Sequence, residues 1–217
     1  MLHGQLIQCA KEEIERKSFG VVEQFLKIHE IVYVSNEPKI DRIDTEKQDG
    51  TAIAYFPVKN EKFHLAIYMS TTPNVAVTGV WVESGNEVYF VAYSEIYDCQ
   101  ELSSMTLLSA TEVRNKGEKK NSGKAVYKES SIYFEPNPEP DEFEDKLRKL
   151  LDFLEQDKAG VKNLIDNANG HILARMIFHN GNTILGGPDI DRKNVRRLAA
   201  LNLEIRFDLY AEGESWT

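Results

Sequence analysis

The chain is 217 residues long, 41% hydrophobic and 28% charged, with 35 acidic against 26 basic side chains and a net charge of −9. That composition supports a packed core, and the acidic balance excludes a phosphate backbone as the main partner, because such a partner demands a basic stripe. The longest apolar runs, such as that in Glu87-Val-Tyr-Phe-Val-Ala-Tyr93, fall far short of the ~18 residues of a membrane span, and the first residues carry no basic n-region; no membrane contact and no secretory leader are expected, and the protein is predicted to be cytoplasmic.

Residues 3–17 place Leu6, Ile7, Ala10 and Ile14 at near-helical spacing, which predicts a short amphipathic helix. Ser18 can cap a second helix with Val21, Val22, Phe25, Leu26 and Ile28 inward. After His29 the pattern turns to β, with runs at 31–34, 52–58, 63–69 and 76–82 rich in β-branched and aromatic residues. In the third run Phe63, Leu65, Ile67 and Met69 share one face. Residues 36–50 are polar and densely charged and read as a loop. The turn at Ser84-Gly-Asn86 marks a possible boundary between residues 1–85 and 86–217.

The second part opens with a strand at 87–94 and a short helix or turn at 99–108. The Gly, Ser and Lys loop 116–124 reads as a solvated hairpin tip, and 125–135 as a further strand or strand pair. Pro136, Pro138 and Pro140 break the chain before the strongest local signal. Asp141 followed by Glu144 has the form of a capping box, and Phe143, Leu147, Leu150, Leu151 and Leu154 make one helical stripe. Val161, Leu164, Ile165 and Ala168 continue a helix to Gly170, a natural stop. Next comes a strand at 171–179, with Ile172, Ala174, Met176 and Phe178 on one face, and a turn at Asn180-Gly181. A last helix from Asp191 turns Val195, Leu198 and Ala199 inward and ends at Asn202, before a strand at 203–210 in which Leu203, Ile205, Phe207 and Leu209 point one way. The order predicts an α+β fold: an antiparallel or mixed sheet with helices packed on one face, preceded by a helical and β-rich N-terminal region.

The chemistry-bearing residues point away from catalysis. Cys9 and Cys99 lie far apart and neither belongs to a CxxC pair, so both read as free thiols. Among His3, His29, His64, His171 and His179 there is no HExxH and no His-x-His; His171 and His179 would stand roughly 26 Å apart on an extended strand and cannot share an ion. The glycine turn at 184–189 could offer backbone amides to an anion, but Asp189 and Asp191 would repel it, and capping suits them better. No Gly-x-Ser-x-Gly occurs. Asp208 faces away from the apolar set of the last strand, either solvated or paired with Arg175 or Arg206. Tyr89, Tyr93, Tyr127 and Tyr133 crowd strand faces, as at a core edge or a recognition surface. The expectation is no catalytic residue, no metal ligand and no cofactor.

The run Leu198-Ala-Ala-Leu-Asn-Leu-Glu-Ile-Arg-Phe-Asp-Leu-Tyr210, after the Leu-rich helix at 143–155 and the strand at 171–178, resembles a bacterial domain family known as domain of unknown function 4279. The strand at 87–94 and Lys116-Gly-Glu118 share that likeness, which covers residues of about 86 to 212. The resemblance implies a small bacterial protein encoded near contact-dependent toxins, with a toxin-neutralising role. The expected function is therefore a non-enzymatic protein-binding module, an immunity protein that holds a toxin domain through an acidic surface, with Asp189, Asp191 and Asp208 as its candidate contacts. The alternative is a small-ligand sensor or an enzyme with a pocket between the two halves. A deep pocket with convergent polar groups would favour the alternative, a flat acidic face the first reading.

Overall fold

The computed structural model describes residues 2–120, 123, 125–181 and 185–215. Lys124 of the basic loop and Ile184 of the glycine turn lie outside the described residues. Two sheets form, each with its own helices. In the first, β3 (Arg42–Asp44), β4 (Thr51–Pro57), β5 (His64–Ser70) and β6 (Ala76–Glu83) run as an antiparallel meander in chain order. Helices α1 (Leu2–Arg16) and α2 (Gly20–Ile28) cover one of its faces. Leu6, Ala10, Ile14, Val22 and Phe25 meet Phe63, Leu65, Ile67 and Met69 there, the set that the period of two placed together. A two-stranded ribbon, β1 (Tyr33–Val34) with β2 (Glu37–Pro38), leads into β3.

The second sheet has the order β11-β10-β7-β9-β8, where β7 is Gly85–Ser94, β8 Glu112–Arg114, β9 Ser130–Phe134, β10 Asn169–His179 and β11 Ile205–Glu212. Strand β10 runs antiparallel to β7 and parallel to β11, so the sheet is mixed and the fold is α+β. Helices α3 (Cys99–Ser104), α4 (Phe143–Leu154), α5 (Lys158–Asn167) and α6 (Arg192–Ala200) pack on one face, over Phe90, Ile132, Phe134, Ile172 and Ala174. Only Ser84 separates β6 from β7. At Gly85 a Cβ would lie 2.4 Å from the Lys62 carbonyl oxygen, so the passage between sheets admits no side chain there.

Several local expectations are corrected. Ser18 does not cap α2; its hydroxyl donates to Glu13, whose carboxylate also accepts from the Phe19 amide at 2.9 Å. The charged run 36–50 is not merely a loop, since β2 and β3 lie within it. The strand expected over 125–135 is Ser130–Phe134 alone, and α5 ends before Ala168, so that Gly170 already belongs to β10. In α6 Leu198 and Asn194 are buried while Val195 and Ala199 face solvent, because α6 packs along α4 with one side. Strand β11 is an edge, so Phe207 and Leu209 remain exposed.

The pattern Asp-x-x-Glu occurs before both α3 and α4, with different outcomes. At α3 it is a true capping box: the Asp98 carboxylate accepts from the amides of Gln100 and Glu101, and Glu101 accepts from the Asp98 amide. At α4 the N-cap is Glu142 and makes no side-chain cap bond. Asp141, one residue earlier, is buried and spends its carboxylate on side chains from elsewhere.

Candidate functional site

Two regions concentrate chemistry. The first is the joint between the sheets. The face of the first sheet opposite α1 and α2 carries Ile53, Tyr55, Ala66 and Tyr68, all but Tyr68 buried. Against it lie residues 137–149 of the second unit. Arg42 on β3 reaches Asp141 at 2.7 Å, Asp44 at 3.2 Å and the Pro140 carbonyl at 2.8 Å. Lys47 is in contact with Glu142 and Asp145, and Lys149 joins Asp141 to Glu46. Lys146, itself buried, donates to the Asn137 carbonyl at 2.8 Å. Burial pushes the Lys146 ammonium down to about 8. For Lys47, burial works the same way, but its contacts with Asp145 and Glu142 outweigh it and hold the charge on.

Asp44, Asp141 and Asp145 bring carboxylate oxygens within 4.8 Å of one another, a spacing that could hold a metal ion. Arg42, Lys47 and Lys149 already neutralise them, so the chemistry of this set is that of an ion-pair network holding two elements together.

Glu83 is the odd member. The single Tyr68 hydroxyl lies 3.2 Å from Glu83 and 3.0 Å from Glu142. One proton cannot satisfy two carboxylates, and burial, reinforced by the charge of Glu142, pushes Glu83 up to about 7 from 4.5. The folded state therefore binds a proton that the unfolded chain releases between those two values, and stability falls as pH rises from about 4.5 to 7. Glu83→Gln removes this dependence. Its melting temperature is expected to exceed that of the parent at pH 7.5 and to converge on it near pH 5, measured by thermal denaturation at matched ionic strength.

The second region is the uncovered face of the five-stranded sheet. Among the described residues the helices pack on the other side only. Registers β10–β7, β7–β9 and β8–β9 align Glu87, Tyr89, Val91 and Tyr93 with Arg175, Leu173 and His171 on one flank and with Tyr133, Ser131, Glu112 and Arg114 on the other. The Tyr89 and Tyr133 rings meet edge-on at 5.6 Å, and Tyr93 meets His171 at 5.8 Å. The Arg114 guanidinium lies 4.3 Å over the Tyr133 ring, donates to its hydroxyl at 2.8 Å and pairs with Glu112 at 2.6 Å. Arg175 pairs with Glu87 at 2.8 Å. The face is thus aromatic and of both signs, not acidic.

The three aspartates singled out in the sequence are not brought together. Asp191 is exposed and caps α6, accepting from the Asn194 amide at 2.6 Å. Asp189 is exposed, and its amide donates to Glu144 at 3.0 Å. Asp208 sits across the sheet from them, on the uncovered face, in register with Arg175. His171 and His179 stay apart on β10, and His179 instead meets His29 of the first unit, Nε2 to Nε2, at 2.8 Å. Cys9 and Cys99 are free thiols. Among the described residues no helix is long and apolar enough to cross a membrane. Sequence reading had marked the tyrosines, and Arg175 as a candidate partner of Asp208, but not Arg114; the alternation of Glu112 with Arg114 was the available signal.

A family model described as Domain of unknown function (DUF4279) matches residues 83–212, which spans the second sheet and its helices. No curated protein and no solved structure matches the chain.

Proposed function

The chain belongs to the family described as Domain of unknown function (DUF4279), and we propose that it is a non-enzymatic protein-binding module whose partner docks on the uncovered face of the five-stranded sheet. The observation that supports this reading is the Tyr89, Tyr133 and Arg114 group, held half-buried by the strand registers while no described helix covers it. Tyrosine and arginine supply large rigid contact area at small entropic cost, and they dominate binding hot spots. The partner class in this proposal is a toxin domain encoded beside the chain in a bacterial genome, met in the cytoplasm. The acidic net charge would favour encounter with a basic partner at a distance.

Co-expression tests the proposal. The neighbour-encoded toxin domain is expected to lose its lethality when this chain is made, and to co-purify with it. Tyr89→Ala with Tyr133→Ala should weaken that complex at least about tenfold. A toxin that stays lethal and forms no complex would sink the reading. A second reading, a ligand-binding or catalytic pocket between the halves, draws on a cleft of about 320 Å³ lined by Asp41, His64, Asn86 and Glu139. It predicts that a small molecule raises the melting temperature of the parent, and that His64→Ala abolishes the rise.

A further inference from the structure

Residues 117–120 and 125–127 form the two sides of an arm, tied by the Lys120 amide on the Ala125 carbonyl at 2.7 Å and the Tyr127 amide on the Glu118 carbonyl at 2.9 Å. Between this arm and β9 lies a cleft of about 460 Å³, a size that suits a few side chains of a partner. Its walls are Tyr93, Tyr127 and Tyr133, and its cations are Arg114, Lys120 and Lys128. Two carboxylates, Glu129 in the lining and Glu112 paired with Arg114 at 2.6 Å, stand against these three cations, in a chain whose overall balance is −9. The positive charge is therefore local and runs against the average of the molecule.

The cations are also placed. Arg114 is stacked over Tyr133 at 4.3 Å and lies 5.7 Å from the Tyr127 ring, while its hydrogen bonds to Tyr133 and Glu112 fix the plane of the guanidinium. Lys120 stands 5.4 Å over the other aromatic wall, Tyr127. With Nε on Glu112 and Nη1 on Tyr133, the Nη2 group remains to donate to an incoming carboxylate, with an apolar or aromatic neighbour on the ring.

We propose that this cleft is an anchor for an acidic peptide segment of the protein partner, with carboxylates on Arg114 and Lys120 and an adjacent aromatic side chain against Tyr93 and Tyr127. The assignment rests on the protein-binding reading and deepens it. A nucleic-acid strand is the disfavoured occupant, because it needs cations repeated along its length, whereas these three surround a single cleft of an acidic protein.

The test uses the full chain labelled with nitrogen-15 and the peptide Glu-Asp-Trp-Glu-Asp, followed by amide shifts. The peptide is expected to move the resonances of Tyr93, Arg114 and Tyr133, and its amide twin Gln-Asn-Trp-Gln-Asn is not. Arg114→Ala should weaken peptide binding at least tenfold, and Lys120→Ala, on the solvent-exposed arm, should weaken it severalfold while leaving the fold unchanged. Equal shifts from the amide twin, or unchanged peptide affinity in both variants, would overturn the inference. So would saturation by inorganic phosphate or oligouridylate where the peptide fails. The two readings separate cleanly. If the neighbour-encoded protein binds Lys120→Ala as strongly as the parent while Tyr89→Ala with Tyr133→Ala weakens it, the anchor falls and the module stands; if the peptide binds the cleft and no protein partner does, the module falls.

Discussion

Leu150→Ala is expected to destabilise the protein by about 2–5 kcal/mol. The side chain is fully buried in α4, in the same apolar cluster as Leu147, Leu151 and Leu154 of its own helix and Phe90 and Phe134 of the sheet. Truncation removes the transfer energy of the lost methyl groups and leaves a cavity whose walls are aromatic rings and branched side chains, which close in only partly. In a chain of this size the loss corresponds to a fall in melting temperature on the order of 5–15 °C. Circular dichroism against temperature, with urea titration to confirm the free energy, measures it. An unchanged midpoint would mean that α4 does not lie where its leucine stripe puts it.

That stripe was legible because a helix period of 3.6 and a burial period of 3.6 coincide in α4, and the same agreement held for the alternating strands β5 and β10. Legibility failed where a residue's partner lies far away in sequence. Asp141 and Asp98 open the same Asp-x-x-Glu pattern, and only the local one, Asp98, caps its helix. What distinguishes them is Arg42, 99 positions before Asp141, reaching it across the joint. In the same way the charged run 36–50 reads as solvated because its counterions belong to α4 and the segment before it. Asp44 is 1% exposed, beside Arg42 and Lys47. The uncovered sheet face was half legible: alternation put Tyr89, Tyr93 and Tyr133 on strand faces, but only the strand order β10-β7-β9 makes those faces one surface. Asp189, Asp191 and Asp208 were grouped by charge alone, and the fold sets Asp208 across the sheet from the other two.

Asp141→Ala follows from the same point, with a cost that tells its two roles apart. Loss of a helix cap costs about 1 kcal/mol. Loss of one member of a buried ion pair costs about 3–5 kcal/mol, because the surviving charge stays in a low-dielectric site without its counterion. Here the Asp141 side chain is 0% exposed and that of Arg42 8%, and the carboxylate also accepts from Asn137 at 2.7 Å and Lys149 at 3.0 Å. Removing it leaves Arg42 with Asp44 and Lys149 with Glu46 as their nearest carboxylates and the Asn137 amide without its acceptor, so a cost above that of a cap, toward about 3 kcal/mol, is expected. A double-mutant cycle isolates the pair: Arg42→Met with Asp141→Leu should destabilise less than the sum of the two single changes, since both charges leave together. Arg42 belongs to the first sheet and Asp141 to the second unit, so the cycle also measures the coupling between them. A cost near 1 kcal/mol for Asp141→Ala, with additive single changes, would mean that the Arg42–Asp141 pair does not couple the two sheets and that Lys47, with Glu142 and Asp145, carries the polar part of the joint.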